Sequence, residues 1–192
     1  MRKILFNRQS PEIQPIRELI ERQKHLTICM WTLGSANRAL KIFEDLCPGD
    51  SRPRDAVDAG KKWMRGDIKM PEAKRAILAA HSAANEIKDL PAAQAAARAC
   101  AHAAGAVHVE THALGLIFYG LTAFIRDMEP EKATAGDIKS EIDWYCGELL
   151  YWENNISKQK GPFAPFLLKD APNKEKLLRQ KLESKNCAGQ SD

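Results

Sequence analysis

The chain has 192 residues, 44% hydrophobic and 28% charged, with a net charge of +4; this length and balance fit one foldable domain with a sizeable core and exclude wholesale disorder and fibrous repeats. Five cysteines, Cys29, Cys47, Cys100, Cys146 and Cys187, are odd in number and never form a CxxC pair. Neither a disulfide framework nor a zinc knuckle is indicated, and a reducing cytoplasm is expected.

At the N-terminus, only Ile4, Leu5 and Phe6 follow the basic Arg2 and Lys3. That is far short of the apolar region of a signal peptide. The first helix is expected over 11–24, opening after Ser10 with Pro11 in its first turn. A second runs over 26–46 and stops at the breaker cluster Cys47-Pro48-Gly49-Asp50. Asp50 or Ser51 caps a third over 52–65, with Val57, Ala59, Trp63 and Met64 on an apolar side and Gly66 at its end. Pro71 begins a fourth, 71–88, in which Ala73, Ile77, Ala80, Ala84 and Ile87 recur at helical spacing until Leu90-Pro91 interrupts.

The most alanine-rich segment follows, a central helix expected over 91–128, continuous or broken near Gly105 and closed by Glu129-Pro130. A further helix occupies about 137–156. From Gly161 the chain changes character: Pro162, Pro165 and Pro172 mark irregular backbone before the short charged helix KEKLLRQKLES. No strand-like alternation appears, so the expected fold is all-α, a single irregular bundle of about six to seven helices. Residues 1–160 form the helical domain and 161–192 a C-terminal extension. The apolar stretch 99–125 has one charged residue, Glu110, but its histidines, alanines and glycines suit burial in protein better than insertion in a membrane.

Two groups of residues invite chemistry. The first is HVETHALGLIFYG, residues 108–120, where His108 and His112 flank Glu110. On a helix turning about 100° per residue, the two histidines share a face, roughly 40° apart, whereas Glu110 lies roughly 200° from His108. The HExxH metalloprotease geometry therefore fails. A divalent metal such as zinc, held by His81, His108 and His112, remains as an alternative; His102 joins such a set only if the helix breaks at Gly105. The competing expectation is a buried histidine pair that hydrogen-bonds within the core, without a cofactor. Glu110 reads as a surface residue at a helix edge or as one partner of a buried ion pair.

The second group is basic. Between Arg52 and Arg75 stand eight cations and four acids, and Arg52, Arg54, Lys61, Lys62 and Arg65 are the candidate protein-binding residues. The same pattern also describes a solvated pair of helices with Asp58 and Lys62 one turn apart. Interspersed acids and few exposed aromatics make nucleic acid the weaker partner and an acidic protein the better one. No GxSxG elbow, GxxxxGK(S/T) loop or GxGxxG turn occurs, so the common sequence routes to a hydrolase, a nucleotidase or a dinucleotide enzyme are empty.

The segments MWTLGSANRALKIFEDLCPGDSRPRDAVDAGKKWMRGDI, EAKRAILAAHSAANE and ARACAHAAGAVHVETHALGLIFYG resemble, in order and spacing, the immunity-five-like family of immunity proteins, over about residues 26–126. The anchors are SRPRDAVDAGKKWMRG, His81 in AAHSAA, and AVHVETHALG; Gly34-Ser35 departs from the pattern. The resemblance implies a bacterial, cytoplasmic binding protein of a polymorphic toxin system, without catalysis, whose partner is a toxin. It assigns no contact residues and leaves a homo-oligomer open. The positive net charge disfavours a nuclease toxin, whose own site is basic.

Overall fold

A computed structural model describes residues 4–128 and 131–188, with no side-chain detail for residues 187 and 188. Among these residues the chain is all-helical, without strands. Its eight α-helices are α1 (Gln14–Glu21), α2 (His25–Leu46), α3 (Arg52–Arg65), α4 (Met70–Glu86), α5 (Pro91–Gly105), α6 (His112–Asp127), α7 (Ala135–Asn155) and α8 (Lys174–Ala188).

Local chemistry accounts for most boundaries. α1, α3, α4 and α5 each carry proline at the first or second position, where its missing N–H costs no helical hydrogen bond. Gly66 ends α3 at φ 83°, a left-handed conformation in which its N–H reaches back to the Trp63 carbonyl. Thr134 and Asp137 form a reciprocal capping box at α7. Asn173 caps α8 by accepting from the Glu175 and Lys176 amides, while its own amide donates to the Ile20 and Gln23 carbonyls. One side chain thus starts α8 and fastens it to the end of α1.

α5 is the central helix. Eleven of its fifteen residues are buried, so it is covered on all sides and packs against α2, α3, α4 and α6. Its alanines permit this close approach. α7 lies against α1 and α2, tied by the Trp31 indole N–H donating to the Tyr145 carbonyl at 3.1 Å and by a two-pronged Arg38–Glu141 pair at 2.8 and 2.5 Å.

Three expectations change. The helix count rises to eight, because the central helix expected over 91–128 is two helices. α5 stops at Gly105, and residues 106–111 turn through short-range bonds such as His108 N–H to the Gly105 carbonyl and His112 N–H to the Val109 carbonyl. The Ala106 carbonyl leaves helical pairing to accept from His25 Nε2 at 2.8 Å. α6 then returns antiparallel to α5, with Arg126 reaching the Pro91 carbonyl at the far end. Glu110 is also not a surface residue: the turn folds it inward to 3% exposure, with Oε2 lacking a hydrogen-bond partner among the described residues. Its nearness adds to the burial that raises the Cys29 thiol pKa well above its ordinary range. Cys29, Cys47, Cys100 and Cys146 are free; the Cys187 side chain and the expected Glu129-Pro130 stop lie outside the described residues.

Candidate functional site: a histidine cleft

The α5–α6 hairpin brings His102, near the end of α5, onto the start of α6. His102 Nδ1 and His112 Nδ1 lie 3.2 Å apart, so one nitrogen carries the proton and the other supplies the lone pair. His102 also stacks on Tyr119, with centroids 5.2 Å apart and planes at 17°, and meets His81 of α4 edge-on at 5.5 Å. Gly115 makes the arrangement possible: a β-carbon there would collide with the His102 ring.

Above these rings opens a cleft of about 310 Å³. Trp63 of α3 forms one wall, Met70, Ile77 and Leu78 of α4 another, and Ala101 and Gly105 leave room at the base; His81, His108 and His112 supply the polar lining and Lys74 stands at its edge. Met70 is 43% and Leu78 52% exposed, so apolar surface continues outward from the cavity. Trp63 is itself sandwiched, with His108 stacked on it at 6.2 Å and Phe166 tilted against it at 5.9 Å.

Burial keeps these imidazoles neutral. It pushes His102 down to about 3, with the neighbouring His112, His81 and Arg98 adding to the effect. His81 is lowered by burial and then by Arg98 and His112, and His112 by burial and then by His108. The His102–His112 contact spends one nitrogen of each ring, whereas the His81 and His108 rings make no hydrogen bond among the described residues. Chemically, the cleft is an apolar receptacle with ring donors and acceptors facing into it.

The candidate metal residues are therefore divided. His81 and His112 both lie against His102, while His108 stacks on Trp63 in the lining of the same cleft. Residues 108–112 are not a helical face, so the i, i+4 relation between His108 and His112 has no geometric content. Among the described residues, no group of three or more His, Cys, Asp or Glu side chains is placed to hold a metal ion. His102 is the residue that sequence reasoning placed off the face; a break at Gly105 was the one signal that brings it in.

The basic candidates are largely engaged within the chain. Arg52 binds Asp50 and Glu86 at 2.7 Å each, and Arg54 binds Glu44 at 2.5 Å. Arg65 pairs with Asp67 at 2.8 Å. Asp58 reaches Lys61 at 3.4 Å and not Lys62. Lys62, together with Lys74 and Arg75 on α4, is exposed and has no ion pair among the described residues.

The family model described as Imm-5 like putative immunity protein matches residues 18–150, over two thirds of the chain. The chain belongs to this family. No curated protein and no solved structure is matched. The Imm-5 like match extends the resemblance at both ends and takes in every lining residue of the cleft. Outside it lies the segment 161–168, which crosses the end of α3 through the Ala164 N–H to Met64 carbonyl bond at 2.8 Å and places Phe166 on Trp63. Beyond the match as well, α8 is fixed by charge: the Glu175 side chain, fully buried, accepts from Arg8 at 3.0 and 3.1 Å and lies 3.7 Å from Arg17, while Arg179 pairs with Glu21 at 3.1 Å.

Proposed function

We propose that this protein is an immunity protein that binds a partner toxin and neutralises it by covering part of its surface, acting in the cytoplasm without catalysing a reaction. The observation that carries this reading is the Imm-5 like match over residues 18–150, which embraces α2 to α6 whole and most of α7. The geometry supports it. The bundle presents an open cleft with exposed apolar rims and unspent hydrogen-bonding groups, the composition expected at the centre of a recognition surface. No described helix is long and apolar enough to cross a membrane.

The test is co-expression of the chain with each product of the genes beside its own. One of these products, toxic when expressed alone, is expected to become harmless in its presence and to co-purify with it. Continued toxicity and absence of binding for every neighbour overturns the reading.

A further inference from the structure

We infer that the histidine cleft is the docking site for the partner and that it receives a large apolar or aromatic side chain carried on an acidic segment of that protein. The inference rests on the immunity reading for the partner's identity, but its chemistry stands on the cleft alone.

Three observations define the occupant. The interior is about 310 Å³, enough for one large side chain, and its walls are Trp63, Met70, Ile77 and Leu78. An apolar or aromatic group gains most by leaving water there. Burial favours the neutral form of His81 and His112, and His81 and His108 offer ring nitrogens to a polar edge such as an indole N–H or a phenol. A carboxylate placed inside would meet no cation except Lys74 at the edge.

The charge outside the cavity supplies the rest. Arg52, Arg54, Lys61 and Arg65 are neutralised by Asp50, Glu86, Glu44, Asp58 and Asp67. Lys74, exposed and without an ion pair among the described residues, stands at the cleft, while Lys62, Lys69 and Arg75, also exposed and unpaired among the described residues, lie elsewhere on α3, α4 and the turn between them. A cation without an internal partner at the edge of an apolar cavity complements a segment in which carboxylates flank the anchoring residue. Complementary charge of this kind raises the association rate and selects the partner, while the buried anchor sets most of the affinity.

The experiment has two arms. In the first, the isotope-labelled full chain is titrated with the blocked peptide acetyl-Asp-Trp-Glu-amide, with acetyl-Lys-Trp-Lys-amide, and with a short oligothymidylate, and the Trp63 indole and His81 and His108 imidazole resonances are followed. The acidic peptide is expected to shift them, binding about tenfold more tightly than the basic one. No shift, equal affinity for both peptides, or a shift with the oligonucleotide alone overturns the inference. In the second arm, Leu78→Asp and Lys74→Glu are compared with Tyr151→Asp on α7, all three being exposed positions where the fold tolerates change. Against a toxin that the unaltered chain neutralises, the first two are expected to weaken binding by about 100-fold and 10-fold, and the third to leave it unchanged. Full binding by Leu78→Asp removes the cleft from the interface while the immunity reading stands. Peptide shifts at the cleft without any neutralised neighbour leave the docking chemistry in place and remove the toxin.

Discussion

The bundle buries polar groups in two places and treats them in opposite ways. At the α1–α8 contact, Arg8, Arg17, Glu21, Glu175 and Arg179 are joined in ion pairs. At the α5–α6 contact, His81, His102 and His112 are kept neutral and only partly matched. In the first region the charged groups are engaged with one another, down to Arg17 Nε and Glu21 Oε1 at 3.1 Å, and hold the helices together. The partly matched cluster stands at a cavity that combines apolar surface with unspent ring nitrogens, the features the proposed docking site needs.

The largest expected effect is the response of the histidine cluster to acid. For a histidine whose folded pKa is depressed, the unfolded chain binds the proton first. Stability is then fully present above the unfolded value near 6.5 and is lost as pH falls toward the folded value. His102, pushed down to about 3, gives a slope approaching about 1.4 kcal/mol per pH unit over most of the window between 6.5 and 3, and the lowered His81 and His112 steepen its upper part. Urea midpoints measured from pH 7.5 to 4.5 are expected to fall steeply, and in His102→Gln to fall by one histidine's share less. Equal slopes in the two proteins mean that His102 is not the group that resists protonation.

The ion-pair region is tested by truncation. Glu175→Ala leaves Arg8 and Arg17 without their shared carboxylate, at a cost of about 3 kcal/mol in chemical unfolding. The same change is expected to release α8 to protease before the rest of the bundle. An unchanged cleavage pattern would show that the Asn173 cap alone holds the helix.

The two regions also differ in how far the sequence discloses them. Helix starts follow from local chemistry, so those at Pro71 and Pro91 are readable, as is the stop at Gly66. The Imm-5 like resemblance is readable from SRPRDAVDAGKKWMRG and AVHVETHALG. What cannot be read is the consequence of one break. If 91–128 is continuous, His102 lies roughly 120° round from His108 and about 15 Å along the axis from His112, and Glu110 lies at an edge; with a turn at 106–111, His102 meets His112 and Glu110 goes inside. A run of alanines favours helix on either side of that turn, and the groups that stabilise the turn, such as His25 on the Ala106 carbonyl, come from 81 residues away. The Glu175 network is illegible for a similar reason, since Arg8 and Glu175 are 167 residues apart.

Geometry sharpens the cleft side of the comparison. Gly115→Val drives side-chain atoms into the space of the His102 ring and is expected to cost about 2 kcal/mol, less than a backbone clash because the ring can swing aside. The displaced ring breaks the His102–His112 contact, so the variant is expected to lose acid sensitivity along with stability. Thermal melts at pH 7.5 and 5 separate the two effects, and a variant that melts lower with its pH dependence intact has been destabilised without moving His102.

The smallest expected effect tests whether the basic stretch matters through its charge or through its position. Arg54 is exposed and already paired with Glu44, a contact that solvent and salt screen; Arg54→Ala is expected to leave the thermal midpoint and toxin binding unchanged within error. Lys74→Glu reverses a cation that has no internal partner, and its effect on stability is equally slight while its effect on binding is not. If instead both substitutions weaken binding alike, the toxin reads the net charge of α3 and α4 rather than the cleft. If Arg54→Ala weakens it more, the partner competes with Glu44 for the guanidinium, and the interface lies toward the α2 end of α3. The contrast between the two cations therefore separates a site defined by an apolar cavity with charge at its edge from one defined by charge alone.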